Sequence, residues 1–171
     1  MMQALLSSEG NDKVARCSNT IPDNGTDINK RPDYEVAMFE QYTESYRTYY
    51  GEVKNECSSD TASIFDFYRL CIFSKLEVVT SNLTGVLCFQ AIGPTITFYH
   101  MVHTSATIYV VVELATVEIP TTKKDIMKIM STLDELLTVA TIYKNIKKKR
   151  LQTRINLIQH RHCYIQPTKA S

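Results

Sequence analysis

Apolar positions along the chain change their period several times, and each change marks an element. Residues 34–40 read as a strand with Val36 and Phe39 as apolar markers. Residues 46–54 are rich in Tyr and Thr, which suit a pleated surface, and read as a second strand. Gln41–Glu44 reads as the turn between them. Ser58-Ser59-Asp60 offers N-cap chemistry for a helix running to about Val79, with Ile64, Phe67, Tyr68, Cys71 and Ile72 at helical spacing as its apolar face. Two strands follow, 86–91 and 95–102, joined across the turn dipeptide Gly93-Pro94, then a strongly β-branched third over 107–119. Pro120 ends it. Thr121-Thr122 can cap a long helix, expected from Lys123 to roughly Arg150, with Ile126, Ile129, Met130, Leu133, Leu136, Leu137 and Ala140 as its buried stripe.

The order strand, strand, helix, three strands, helix predicts an α/β or α+β domain around one central sheet. Residues 1–30 are polar and rich in Ser, Asn, Asp and Gly, and read as a poorly ordered segment apart from a short helix near 1–8. The domain is expected over 31–145, with a basic tail over 146–171.

With 171 residues and a 44% hydrophobic fraction, the chain suits a single globular core. Net charge is +1, and only its distribution is informative: no acid follows Glu135, whereas Lys144, Lys147, Lys148, Lys149, Arg150, Arg154, Arg161 and Lys169 all do. The run Lys147, Lys148, Lys149, Arg150 is therefore a candidate nucleic-acid contact, a nuclear localisation signal, or the solvated end of a helix, where cations suit the dipole. The solvated end is favoured of the three. No secretory signal is evident, and the longest apolar run, around Tyr109, is far short of the roughly 20 residues that span a bilayer. The expectation is an intracellular protein, with the nucleus open from the basic tail and no membrane association. Five cysteines at irregular spacing read as reduced packing residues. His160, His162 and Cys163 match no zinc spacing, and no Walker A, GxGxxG or GxSxG motif is present.

The candidate chemistry lies in the first two strands. Glu52 and Lys54 are two apart in a strand, so their side chains leave the same face while Val53 points away. If Gln41–Glu44 forms a four-residue loop, Glu40 pairs with Ser45 and Asp33 falls opposite Glu52. Two carboxylates and an ammonium then cluster at one end of a hairpin. Carboxylates are hard oxygen ligands suited to Mg²⁺, which also takes phosphate oxygens, and an ammonium beside them can orient a nucleophile. A strand E-x-K is also a common solvent-face ion pair, worth about 0–1 kcal/mol.

Pro32-Asp33, then Gly51-Glu52-Val53-Lys54, then a helix, resembles the PD-(D/E)XK nuclease superfamily, the restriction-endonuclease-like fold. The chain is similar in particular to a large fungal family with a GEVK strand. The resemblance continues through Asp66–Lys75, the stretch from Gly85 to Gly93, Thr97-Phe98-Tyr99, Tyr109–Leu114 and Ile119-Pro120, and so spans roughly residues 31–145. It implies a restriction-endonuclease-like core, a central mixed sheet flanked by helices. It implies Asp33 and Glu52 as ligands to Mg²⁺ (or Mn²⁺), the Val53 carbonyl as a third, and Lys54 as the catalytic lysine. Asp66, Arg69 and Lys75 on the following helix become accessory candidates, although Asp66 and Arg69, three apart, also read as a pair on the helix surface. The superfamily often supplies another acid from an N-terminal helix. Here Glu9 and Asp12 lie in loop-like sequence, and Glu35, on the strand face of Asp33, is the substitute. Two readings follow from the resemblance: a Mg²⁺-dependent nuclease acting on DNA, derived from a mobile element, with loss of activity left open; and a non-catalytic nucleic-acid-binding or protein-interaction module on the same fold. A third, from another class, is a structural protein whose E-x-K is only a surface pair.

Overall fold

Six strands hydrogen-bond in chain order into one mixed sheet: β1 (Lys13–Cys17), β2 (Tyr34–Glu40), β3 (Thr43–Lys54), β4 (Gly85–Ile92), β5 (Thr95–Ser105) and β6 (Ile108–Glu118). The computed structural model describes residues 13–17, 31–105 and 107–149. Every neighbouring pair is antiparallel except β3 and β4, which are parallel. A parallel pair needs a crossover, and the 21-residue helix α1 (Asp60–Thr80) supplies it. Ser59 caps α1, its hydroxyl accepting from the Ala62 N–H at 3.3 Å, and Asp60 in the first turn suits the positive end of the dipole. After β6 come a 3₁₀ turn (Lys123–Met127), α2 (Lys128–Ser131) and α3 (Leu133–Lys144).

The architecture is the expected α/β one, but four local expectations are corrected. Residues 13–17, read as loop, form a strand on the edge of β2, with Val14 opposite Ala37. The predicted short helix near 1–8 lies outside the described residues.

The turn between β2 and β3 is two residues, Gln41 and Tyr42, both at positive φ (50° and 66°), and Thr43 and Glu44 already belong to β3. Positive φ at both central positions matches the right-handed twist of a hairpin. Glu40 therefore pairs with Thr43, a register that would carry Asp33 to Tyr50. Two irregularities, between Met38 and Phe39 and between Val36 and Ala37, each advance β3 by one residue. Tyr34 consequently faces Gly51, and the next position outward puts Asp33 level with Glu52.

The third correction concerns α1. Ile64, Tyr68 and Ile72 are exposed, together with Phe65, Leu76 and Val79, while Asp66, Leu70, Ser74, Glu77 and Val78 are buried. The buried set recurs at helical spacing, so it is a true inward face, but a partly polar one. The sheet beneath it carries Tyr50 and Gln90, which need polar partners, and α1 provides them. Tyr50 donates to Glu77 Oε2 at 2.9 Å, and Gln90 Nε2 donates to the Ser63 carbonyl at 2.6 Å.

The fourth concerns the C-terminal helix, which breaks at Thr132 and ends at Lys144 instead of running to Arg150. Of the expected stripe only Leu136 is buried; it joins Val139 and Tyr143, while Ile126, Met130, Leu133 and Leu137 are exposed. Beyond the helix the backbone returns to the sheet. Thr84 N–H donates to the Lys147 carbonyl (2.9 Å) and Lys149 N–H to the Asn82 carbonyl (2.7 Å).

Two apolar clusters fill the two faces. One joins Val36, Tyr49, Leu87, Phe89, Phe98 and Val117 to Leu136, Val139 and Tyr143 of α3. The other joins Tyr50, Val86 and Cys88 to Leu70 and Val78 of α1. No described helix is long and apolar enough to cross a membrane.

Candidate functional site

β3 delivers Glu52 and Lys54 to the face covered by α1, and the other face receives Tyr49, which stacks on Phe89 at 5.5 Å between ring centroids. Gly51 sits between. A Cβ there would fall inside the Phe89 ring, so glycine is what allows β3 and the Phe89 side chain of β4 to lie this close. Asp33, just before β2, reaches across the strand gap, and its Oδ2 accepts the Val53 N–H at 2.9 Å. A strand residue's N–H and C=O leave the same side, so the Val53 carbonyl is also directed towards the Asp33 edge.

α1 closes the site with side chains expected on its outer surface. Asp66 is buried. Arg69 donates from Nη1 to Asp66 Oδ1 at 3.2 Å and from Nη2 to the Arg31 carbonyl at 2.7 Å. The same Nη2 lies 3.4 Å from Glu52 Oε1. Lys54 Nζ lies 3.2 Å from Asp66 Oδ2. Asp66 and Arg69 do pair, but inward, which corrects their reading as a surface pair.

Glu52 is fully buried, and neither of its oxygens has a hydrogen-bond partner among the described residues. Its acidity is weakened accordingly, with the pKa pushed up to about 8. Burial is the largest cause and the Asp33 charge the next, with Arg69 pulling in the opposite direction. Orphaned buried carboxylate oxygens beside a second carboxylate are the donor chemistry a hard cation takes, so the residues present fit Mg²⁺. Among the described residues no three or more His, Cys, Asp or Glu side chains are arranged as a metal cluster. Mg²⁺ does not require one, because it usually takes one or two protein carboxylates and completes its shell with water and phosphate.

The site thus unites Asp33, Glu52, Val53, Lys54, Asp66 and Arg69. Glu35 is buried two pairs further along the same hairpin, where Arg47 Nε meets it at 2.8 Å. Lys75 lies over the Tyr109 ring at 5.3 Å and does not join the site. The basic run is placed elsewhere: Lys148 Nζ meets Glu40 Oε2 and Ser45 Oγ at 3.0 and 2.9 Å, near the hairpin turn. Lys149 Nζ reaches His103 Nδ1 at 3.4 Å, and Arg150 lies outside the described residues, as do His160, His162 and Cys163. Two participants escaped sequence reasoning. Gln90 is level with Glu52 across the parallel pair, and the Arg31 backbone carbonyl holds Arg69. Gln90 could be found only by knowing the parallel register, which no turn fixes.

Comparison with family models, with curated proteins and with solved structures finds no match.

Proposed function

We propose that the chain is a divalent-cation-dependent, nuclease-like domain of PD-(D/E)XK type that hydrolyses DNA phosphodiester bonds. The observation that carries this reading is the buried Glu52 carboxyl, without hydrogen-bond partners, beside Asp33 and followed two residues later by Lys54 on the same strand face. A central mixed sheet flanked by helices is also the frame the resemblance implies. Asp33 and Glu52 hold the cation, with the Val53 carbonyl as an added oxygen. When bound, Mg²⁺ supplies an acidified water and charge stabilisation at the phosphate. Lys54 leaves Asp66 to orient the attacking water and neutralise developing charge, and Asp66 keeps the lysine near the site when no substrate is present.

Thermal melting in Mg²⁺ and Mn²⁺ tests the site without requiring a substrate. A ligand that binds only the folded state raises stability by about 2.7 kcal/mol at a hundred times its Kd. The expected result is a metal-dependent rise in Tm that disappears in Glu52→Gln and Asp33→Asn. Lys54→Ala should keep the rise and lose cleavage of a DNA duplex by on the order of 10²-fold, the scale of one electrostatic catalytic group. A parent protein whose Tm ignores both ions refutes the site.

A second reading is favoured by one specific observation: Lys54 and Arg69 already lie against Asp66 and Glu52. Such internal pairing suits a non-catalytic module on the same frame. DNA binding that is salt-dependent and indifferent to Mg²⁺ would select it.

A further inference from the structure

Arg69 stands in an unusual place for a surface-helix arginine. Its guanidinium is held by the Arg31 carbonyl at 2.7 Å and Asp66 Oδ1 at 3.2 Å, which points Nη2 at Glu52 Oε1, 3.4 Å away. Glu52 Oε1 is a fully buried oxygen with no hydrogen-bond partner, and the Arg69 contact is an ion pair too long for strong bonding. Within the cluster three carboxyl groups (Asp33, Glu52, Asp66) face two cations (Lys54, Arg69). A guanidinium and a divalent ion cannot both sit close to one buried carboxylate without strong like-charge repulsion, which a low-dielectric site screens poorly. The guanidinium cannot avoid this by losing its proton.

We propose that Arg69 is an internal counter-ion that competes with the divalent cation for Glu52, so that metal entry requires the guanidinium to move off the carboxylate. The inference rests on the Asp33–Glu52 cation site proposed above and adds its control. Arg69 has somewhere to go: Nη1 can keep its hydrogen bond to Asp66 Oδ1 while Nη2, which also holds the Arg31 carbonyl, swings away from Glu52. In the cation-free state Arg69 limits the cost of burying Glu52. In the bound state that role passes to the metal.

The experiment is calorimetric titration of Mn²⁺ into the full chain and into Arg69→Gln, Arg69→Lys, Glu52→Gln and the Arg69→Gln/Glu52→Gln double variant. Removing one opposing charge is expected to tighten Mn²⁺ binding to Arg69→Gln by on the order of tenfold, the scale on which a nearby charge moves a proton equilibrium. Arg69→Lys, which keeps the charge, should stay within a few-fold of the parent. Glu52→Gln should abolish binding in either background. Binding in the parent that is lost in Glu52→Gln but equal or weaker in Arg69→Gln overturns the counter-ion role and leaves the cation site standing. Absence of Mn²⁺ binding in every protein overturns the cation site and the counter-ion role with it. Should Arg69→Gln fail to fold, the folded parent still decides the matter. Its Arg69 Nε–Hε NMR signal is expected to shift as Mg²⁺ saturates, and a signal unmoved at saturation overturns the proposal.

Discussion

A methyl group added at Gly51 would have to displace the Phe89 ring, which is stacked on Tyr49 and tilted against Phe98. Neither neighbour can yield without repacking the larger cluster. Gly51→Ala is therefore expected to destabilise the domain by about 1–3 kcal/mol, the usual cost of overpacking, read as a lower urea midpoint. An unchanged midpoint would show that Phe89 has room to turn. The glycine of the Gly51–Lys54 motif is thus a packing residue whose effect on Glu52 is positional. His100 makes a separate prediction. It is partly buried, its Nε2 has no hydrogen-bond partner, and burial lowers its pKa. The folded state therefore favours the neutral ring, whereas the unfolded chain takes up a proton near pH 6.5. The unfolded state binds more protons below that point, so the contribution of His100 is complete above about pH 6.5 and is lost as the pH falls. The cavity beside it is lined by Thr84, Ile142, Asn145 and Ile146, with no acid among them to offset the charge. His100→Gln should flatten the stability profile between about pH 7 and 5 relative to the parent; parallel profiles would remove His100 from the account.

The elements show where hydrophobic pattern can and cannot be trusted. The strands were legible because alternation of side chains fixes which residues share a face, and Glu52 and Lys54 do share one. Asp33 reached its place opposite Glu52 by a different route from the expected loop. A tighter turn moved the register away, and two bulges brought it back. Bulges leave little trace in sequence, because either neighbour of an alternating pattern can absorb the extra residue. α1 departs from its apolar pattern for a clearer reason. The pattern puts its most apolar positions inward, but Tyr50, Gln90, Lys54 and Glu52 on the sheet below meet Glu77, the Ser63 carbonyl, Asp66 and Arg69, and pairing buried polar groups outweighs covering Ile64 or Tyr68. A direct check compares two truncations on this helix. Leu70→Ala, at a fully buried position, should cost about 2–5 kcal/mol. Ile64→Ala, at a position 67% exposed, should stay within about 0.5 kcal/mol of the parent. The hydrophobic pattern alone implies large losses at Ile64, so equal losses would put Ile64 on the buried face of the helix.

Distance and surface character decide whether the basic run can serve the cation site. Lys148 is tied to Glu40 and Ser45 at the start of β3 and lies over the Tyr46 ring at 4.6 Å, while Glu52 and Lys54 are near the other end of the same strand. Seven residues separate Ser45 from Glu52, roughly 20–25 Å at strand rise. The intervening surface is α1, whose outer side presents Phe65, Tyr68, Ile72 and Leu76 to solvent. A duplex joining the two ends would have to lay its phosphates across that mainly apolar stripe, where Lys75 is the one exposed basic side chain of α1, and lose hydration. Lys148 would also have to give up its contacts with Glu40 and Ser45. A nucleic acid docked at Asp33–Lys54 is therefore expected to ignore the lysines, which are not the solvated end of a helix as expected but lie beyond α3, hydrogen-bonded back to residues 82–84. Each phosphate contact contributes about 0.9 to the slope of log affinity against log salt for duplex DNA. Neutralising Lys147, Lys148 and Lys149 together to alanine should leave that slope unchanged for a duplex whose binding depends on Glu52. A fall of about 0.9 for any one lysine would mean that the duplex crosses α1 after all, and that the basic run and the carboxylate site belong to one binding surface.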